Sequence, residues 1–413
     1  MVCKIFIFTK KIKGRAMKKR LFTPGPTPIP EQVALALAQP IIHHRNPEFI
    51  EIFSRVNENL KYLFQTKQDV YTLTSSGTGA MEAAVANLLS SGDKAIFVNG
   101  GKFGERWGEI CKAYGVEAIE IKIEWGRAVT PEEIETELKR NPDVKAVFLT
   151  HSETSTGVFT DVKEIAKIVR ENSNAVTVVD GITSVGAHEL YMDEWGLDVV
   201  ITGSQKGLMI PPGLSFIALS ERAWEMVERS NLPKYYFSLK KARKALQNGD
   251  TPWTPGIALI VALDVALKMI REEGLENIWR RHEKLSLAVR EGCKALGLRL
   301  FGHPPSHAVT AVYFPDGIDK KEFQRVLKYK YGITVAGGQE HLKDKIFRIS
   351  HLGYYDELDI VGVISALEMA LKDVGYEGFN PGDGVRAVQK VFEEFESVAE
   401  KRDEDDEFPN CCH

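Results

Sequence analysis

Residues 199–212 read VVITGSQKGLMIPP, and this stretch decides the fold. The apolar β-branched run Val199 to Ile201 predicts a buried strand, and Pro211 and Pro212 prevent a regular element from continuing. Lys206 stands between them, where the strand meets a Gly/Ser loop. Burial in such a position lowers the pKa of an amine and favours a nucleophile or Schiff-base former. Because isolated lysines at strand ends are usually surface residues, the neighbouring strands must decide between the two interpretations.

The chain on either side of this stretch alternates strands with helices. Nearly continuous apolar strands are predicted at residues 69–74, 95–98, 117–123, 144–150, 175–180, 198–202 and 214–219. Helical periodicity is found at residues 80–89, 103–114, 131 onward and 162–170. Apolar strands separated by helices predict an α/β fold with a mostly parallel sheet that is covered on both faces. Ligands of such sheets bind beyond the carboxyl ends of the strands.

A smaller α/β unit follows. It is predicted from helices at 257–271, 275–296, 320–331 and 357–372, with short strands at 309–314 and 346–350. We therefore divide the chain into an N-terminal arm (1–34), a large cofactor-binding domain (35–272), a small C-terminal domain (273–385) and a charged tail (386–413). The tail is expected to be flexible because it is dense in charged residues.

Composition limits the classes of partner and compartment. A net charge of -4 and a pI of about 6.3 give no electrostatic basis for binding nucleic acid or an acidic membrane surface, so neither partner is predicted. The five cysteines show no metal-site spacing and are odd in number, which predicts no metal and a reducing, cytoplasmic compartment.

The N-terminal residues allow two interpretations. Residues 1–20 contain lysine and arginine but no acidic residue, and the apolar run 5–8 is too short for a signal-peptide core or a membrane span. Residues 1–16 are therefore either part of a basic arm or residues upstream of a native start at Met17.

Polar residues follow several of the predicted strands. Residues 75–79, SSGTG, lie between a strand and a helix start, where backbone N–H groups, hydroxyls and the helix dipole favour a phosphate. The stretch is neither a Walker loop nor G-x-G-x-x-G. Phe103 lies at another strand-to-helix junction, and the loop 154–157 supplies hydroxyls for a ring oxygen or a substrate. Each feature alone is more often an ordinary turn or core residue.

Asp180 ends an apolar strand, where an unpaired carboxylate is costly. It either caps the following helix or pairs with a protonated ring nitrogen. The phosphate turn, the aromatic residue, the hydroxyl loop, Asp180 and Lys206 each follow a successive strand. This order predicts pyridoxal 5'-phosphate (PLP) as cofactor, with Lys206 as the Schiff-base lysine and Asp180 holding the pyridinium proton so that the ring acts as an electron sink.

The same residues resemble a known family. The matching motifs, in chain order, are TPGPT (23–27), SGTGAME (76–82), NG (99–100) with FGER (103–106), HSETSTG (151–157), DGITS (180–184), GSQK (203–206), TPWTP (251–255) and FRIS (347–350). As an ordered set spanning residues 21–375, they resemble the class V, fold-type I PLP-dependent aminotransferases, close to the alanine–glyoxylate and serine–pyruvate aminotransferases.

The resemblance implies a set of contacts with the cofactor phosphate. It assigns to that phosphate Ser76, Gly77, Thr78 and Gln205, with Thr254 and Thr251 reaching it from the second subunit of a homodimer. Thr251 stands where some members of the family have tyrosine.

The resemblance also implies contacts with the ring and the substrate. Ile182 would pack on one ring face, Phe103 would stack on the other, and Thr154 would lie near the phenolic oxygen. Phe103 departs from the Trp or Tyr that the family often has there. Arg348 would bind the substrate α-carboxylate through a bidentate pair, and the backbone at Gly25 would close over the substrate.

The implied reaction moves the amino group of alanine or serine to glyoxylate or pyruvate, with Lys206 transferring the Cα proton. Three alternatives remain open: an aminotransferase for aspartate or an aminophosphonate, a cysteine desulfurase-like lyase, and a catalytically silent subunit or binding partner on the same fold. The desulfurase needs a mobile cysteine before the substrate arginine. Residues 335–345 read VAGGQEHLKDK and contain none.

Overall fold

The computed structural model describes residues 18–406, with side chains through residue 397. The strands are β1 (Arg20–Phe22), β2 (Val70–Leu73), β3 (Lys94–Asn99), β4 (Glu117–Lys122), β5 (Ala146–Thr150), β6 (Ser152–Glu153), β7 (Val158–Phe159), β8 (Val176–Asp180), β9 (Val199–Gly203), β10 (Ser215–Leu219), β11 (Leu300–Phe301), β12 (Val309–Tyr313), β13 (Ile333–Gly337) and β14 (Ile346–Ser350). The expectation about residues 1–16 lies outside the described residues.

The helices connect these strands. They are α1 (Glu31–Leu37), α2 (Pro47–Phe64), α3 (Gly77–Leu88), α4 (Lys102–Ala113), α5 (Pro131–Arg140), α6 (Val162–Asn172), α7 (Glu221–Arg229), α8 (Leu239–Leu246), α9 (Ile257–Glu273), α10 (Leu275–Ala295), α11 (Lys320–Tyr329), α12 (Glu357–Asp373) and α13 (Asp383–Asp406). None of the described helices is long and apolar enough to cross a membrane.

The large sheet has seven strands in the order β2-β10-β9-β8-β5-β3-β4, and only β10 runs against its neighbours. The predicted α/β class and mostly parallel sheet are confirmed. Its register aligns Thr150 with Asp180 and Asp180 with Ile201, so the carboxyl ends of β5, β8 and β9 lie side by side. The polar residues that follow these strands are thereby brought to one edge.

Both faces of this sheet are buried, because alternate side chains of its strands point to opposite sides. Val178 and Ile201 belong to one apolar cluster, and Val179 and Val200 belong to the other. This explains why the strands are apolar throughout rather than alternating.

The smaller sheet has the order β1-β13-β14-β12-β11, and β1 pairs in parallel with β13. The sequence predicted β12 and β14 but neither β1 nor β13, since β1 has only three residues and β13 is partly exposed. The pairing of β1 carries the segment after Phe22 to the edge of the large sheet, where Thr27 contacts the loop that contains Lys206. The domain boundaries stay predictions.

The expectation of a flexible tail from residue 386 is wrong for the described part of that segment. Helix α13 continues to Asp406, and its Val388 and Val391 are buried in the apolar cluster of the smaller sheet. Two buried valines at i and i+3 anchor one helix face, although the segment as a whole is rich in charge.

We predict that Val388→Ala lowers the free energy of unfolding by about 2 kcal/mol, because two buried methyl groups are lost and a cavity remains. The matched control is Gln389→Ala on the exposed side of the same helix, which is expected to change stability by less than about 0.5 kcal/mol. Urea unfolding measures both variants. Equal stability of the two would contradict the docking of α13.

Candidate active site

Lys206 lies three residues after β9, in a loop that is held by its own side chains. Ser204 Oγ donates to Pro211 O at 2.7 Å and accepts from the Leu214 N–H at 3.2 Å. The Lys206 side chain is only 8% exposed, and its Nζ donates to Pro24 O. The predicted buried lysine is therefore held in a fixed position at the strand end.

The segment after β1 closes over this lysine. Thr27 donates its backbone N–H to Gln205 O at 3.2 Å and its hydroxyl to Lys206 O at 3.0 Å. Gly25 has φ of +146°, and a Cβ at this position would overlap Lys206 Nζ. Only glycine combines this backbone conformation with so close an approach.

Asp180 is 3% exposed at the end of β8 and accepts the Ile182 N–H at 2.8 Å. Burial raises the pKa of Asp180 to about 7, while the Ile182 hydrogen bond and the charges of Arg106 and Lys206 oppose this rise. Burial likewise lowers the pKa of Lys206 to about 8, which Asp180 opposes. The two buried groups thus favour each other's charged form.

The predicted phosphate turn lies at the start of α3. Ser76 is the N-cap residue, but its side chain makes no capping bond, so the first N–H groups of the helix have no hydroxyl partner from it. A Cβ on Gly77 would come within 2.5 Å of Ile182 Cδ1, and a Cβ on Gly203 would come within 3.3 Å of Gln205 Oε1 and 3.5 Å of Gly77 N. The glycines therefore allow the three segments to meet.

Two further observations concern the same turn. Gln205 Oε1 is buried and has no hydrogen-bond partner among the described residues. Thr78 Oγ1 accepts from Arg106 Nη1 at 3.1 Å, and the Arg106 guanidinium lies 4.9 Å from the centre of the Phe103 ring. Phe103 and Thr78, 25 positions apart in the sequence, are thus joined through Arg106.

Glu153 was missed as a site residue by the sequence reasoning. Its buried carboxylate accepts the N–H groups of Phe103 at 3.1 Å and Gly104 at 2.9 Å, and the Ser155 N–H at 3.0 Å. Burial raises the pKa of Glu153, and these hydrogen bonds oppose the rise. The acid caps the N-terminus of α4 and fixes Phe103, a role signalled only by a carboxylate within the HSETSTG motif.

Arg348 lies on β14 and is 6% exposed. Its Nε and Nη2 donate to Gly337 O at 2.9 and 2.7 Å, and its Nη1 donates to Thr154 O at 2.8 Å. Burial lowers its pKa to about 10, and no carboxylate forms an ion pair with it among the residues whose side chains are described. Thr154 is also hydrogen-bonded to Thr183 through their hydroxyls at 2.7 Å.

Thr251 and Thr254 are not brought to the other predicted residues within one chain. The Thr251 hydroxyl donates to Trp253 O at 2.7 Å, and Thr254 is exposed. Their loop lies near the start of the phosphate turn, since Gly256 N–H donates to Thr74 Oγ1 at 3.2 Å. Their assignment to a second subunit stays a prediction.

The residues that do lie together in one chain suit an anionic cofactor with a basic ring nitrogen. A helix N-terminus, Arg106 and an unpartnered Gln205 converge on the turn, which fits a phosphate. Asp180 fits a protonated ring nitrogen, and Lys206 supplies an amine. The Arg348 guanidinium donates to two backbone carbonyls and has no carboxylate partner among the described side chains.

The comparisons with known proteins agree with this geometry. The family model described as Aminotransferase class-V matches residues 21–360. A protein named "Soluble hydrogenase, small subunit" from Synechococcus sp. (strain PCC 6716) is 46% identical over 91% of this chain and 98% of its own. A serine–glyoxylate aminotransferase from Hyphomicrobium methylovorum is 38% identical over 90% of this chain and 94% of its own. The crystal structure of ureidoglycine–glyoxylate aminotransferase from Bacillus subtilis superposes with a TM-score of 0.86 and 30% identity, covering 92% of this chain and all of that one (100%).

The fold and the site thus define a fold-type I, PLP-dependent enzyme. The chain belongs to the class V aminotransferase family, and its activity is that of a transaminase.

The shifted pKa of Lys206 leads to a pH-dependent prediction. In the cofactor-free protein, acylation of the Lys206 amine should increase with pH around a midpoint of about 8, because only the neutral amine reacts and burial lowers its pKa. Peptide-level mass spectrometry measures this reaction. Lys94 is the control, since its hydrogen bond to Asp143 raises its pKa above the ordinary value.

Asp180→Asn should lower the Lys206 midpoint further, because the carboxylate opposes the loss of the lysine proton. A midpoint at the ordinary lysine value would show that burial does not control this amine. A midpoint that rises in Asp180→Asn would show that the Asp180 carboxylate does not favour the charged amine.

Proposed function

We propose that this transaminase moves the amino group of a small amino acid, alanine or serine, to glyoxylate or pyruvate. The observation that carries the proposal is Arg348, a buried guanidinium held by Gly337 O and Thr154 O without a carboxylate partner among the described side chains. Its charge lowers the pKa of Lys206, so the two groups act in one site. A substrate carboxylate bound to Arg348 would supply the missing negative charge.

The charges around Lys206 support a donor with a single carboxylate. Apart from Arg348, the cation whose charge acts on Lys206 is Arg106, which is engaged with Thr78. A side-chain carboxylate, as in aspartate, would need a further cation, because an unpaired charge in a buried site is costly. We therefore place alanine or serine before aspartate and the aminophosphonates.

The roles of the chain's residues follow from their positions. PLP, when bound, supplies an electron sink for the negative charge that develops at the substrate Cα. Lys206 accepts the Cα proton as a neutral amine, and its lowered pKa favours this neutral form. When the keto acid is converted to an amino acid, Lys206 returns a proton to Cα. Asp180 holds a proton at the ring nitrogen, and Gly25 and Pro24 cover Lys206 and exclude water.

A catalytically silent subunit remains the candidate from another class, and the name of the 46% identical relative favours it. A chain of this kind would associate with a hydrogenase and would have no need of Lys206, Asp180 and Arg348 together. The presence of all three supports an enzyme.

The desulfurase alternative is less supported, because residues 335–345 lack a cysteine and both described cysteines, Cys111 and Cys293, are buried. These free thiols also support our proposal of a reducing cytoplasm.

We further propose a homodimer with shared active sites. Thr254 is exposed on the loop next to the phosphate turn, and Ile41 and Tyr235 are 74% and 70% exposed. The segment around Ile41 approaches this loop, since Arg45 pairs with Asp250 at 3.3 Å. Exposed apolar side chains beside exposed site residues favour a subunit interface.

The first test is spectroscopic. We expect the purified protein to be yellow, and L-alanine or L-serine without an acceptor to replace the visible band by a near-ultraviolet band that glyoxylate reverses. Lys206→Ala should not undergo this conversion, because the base that moves the Cα proton is absent.

Other outcomes would reassign the function. Conversion by L-aspartate but by neither alanine nor serine would establish the alternative donor. A colourless protein that does not take up added PLP would support the silent subunit and overturn the proposal.

The shared site is tested by complementation between two differently tagged, co-expressed chains. Lys206→Ala lacks the amine, and Thr254→Asp places a negative charge against the partner's phosphate, so each homodimer should be inactive. A mixed dimer should be active, because one of its two sites combines an intact Lys206 with an intact Thr254.

The control pair is Lys206→Ala with Asp180→Asn, which leaves no complete site in a mixed dimer, since both residues belong to the same protomer's site. Activity in the control pair, or inactivity in the first pair, would contradict the assignment of Thr254 to the neighbouring site.

A further inference from the structure

Arg106 occupies a position that the proposed reaction does not use. It lies in the first turns of α4, half-buried, with its guanidinium above the Phe103 ring and its Nη1 bonded to Thr78 Oγ1. Among the residues whose side chains are described, no acid forms an ion pair with it. A half-buried guanidinium without a counter-ion can pair with an anion that binds nearby.

The direction of the Thr78 bond restricts what that threonine can do. Arginine only donates hydrogen bonds, so Thr78 Oγ1 must accept from Arg106. The Thr78 hydroxyl hydrogen is therefore free to be donated to another acceptor. A hydroxyl polarised by a guanidinium in this way is also a stronger donor.

The charge of Arg106 is added to a positive region. Thr78 is the second residue of α3, where the helix dipole places partial positive charge and the first N–H groups lack a capping partner from Ser76. A cation at a helix N-terminus is repelled when the site is empty. A phosphate dianion bound at this turn would be attracted both by the helix N-terminus and by the charge of Arg106.

We infer that Arg106 is a positioning residue that makes the Thr78 hydroxyl a donor to the cofactor phosphate and adds its own positive charge to that subsite, with the Phe103 ring holding it in place. This inference rests on the proposed phosphate site. Arg106 should therefore strengthen binding of the phosphorylated cofactor more than binding of the same ring without phosphate.

The test compares two ligands that bind without a covalent bond, pyridoxamine 5'-phosphate and pyridoxamine. Calorimetry on the cofactor-free, full-length protein should show that Arg106→Gln weakens binding of pyridoxamine 5'-phosphate about tenfold, because the Thr78 hydroxyl is no longer held as a donor and one positive charge leaves the subsite. Binding of pyridoxamine, which lacks the phosphate, should weaken clearly less. Lys112→Gln, an exposed site on the same helix, removes the same charge and should affect neither ligand.

A double-substitution cycle isolates the link to Thr78. In the background of Thr78→Val, Arg106→Gln should weaken pyridoxamine 5'-phosphate clearly less than in the wild type, because the hydroxyl that it orients is gone. Equal weakening of both ligands by Arg106→Gln, or full additivity with Thr78→Val, would overturn the inference. A wild-type protein that binds pyridoxamine but not its phosphate would instead refute the phosphate site itself.

Discussion

Burial of the Lys206 amine and the Asp180 carboxylate, beyond two neighbouring strand ends, is the constraint on which the rest of the site depends. Burial disfavours the charged form of each group, which lowers the pKa of Lys206 to about 8 and raises that of Asp180 to about 7, and the charge of each group opposes the shift of the other. A pair of this kind is stable only when its surroundings are fixed. The parallel register of β8 and β9 provides that rigidity, because it sets the two strand ends side by side.

The two sheets meet around this pair through short polar contacts. Strand β1 belongs to the smaller sheet but delivers Pro24 and Thr27 to the Lys206 loop of the large sheet. In the opposite direction, Arg348 of the smaller sheet donates to Thr154 O, in the turn that follows β6. In the proposed reaction, substrate binding at Arg348 and proton transfer by Lys206 therefore both depend on how the elements that carry these residues are held together.

Much of the large sheet and the central residues could be predicted from the sequence, because they follow local rules. Apolar strands are recognisable from composition, and Lys206 and Asp180 are conspicuous as charges at the ends of such strands. Arg106 and Glu153 could not be assigned in this way. Arg106 acts across 28 positions of sequence on Thr78, and Glu153 caps a helix that begins 51 residues earlier. Helix α13 was missed for a related reason, since its two buried valines lie within a segment whose composition indicates a solvated tail.

The balance of charge explains which ligands the site favours. Lys206, Arg348 and Arg106 contribute cations, while Asp180 and Glu153 contribute acids, and Glu153 is already satisfied by the N–H groups of α4. What remains is positive charge at two places, the start of α3 with Arg106 and the Arg348 guanidinium. In the proposed site, a phosphate would bind at the first and a carboxylate at the second. A cofactor without a phosphate or a substrate without a carboxylate would leave one of these positive groups uncompensated, so the proposed site would select its cofactor and its substrate by the same electrostatic requirement.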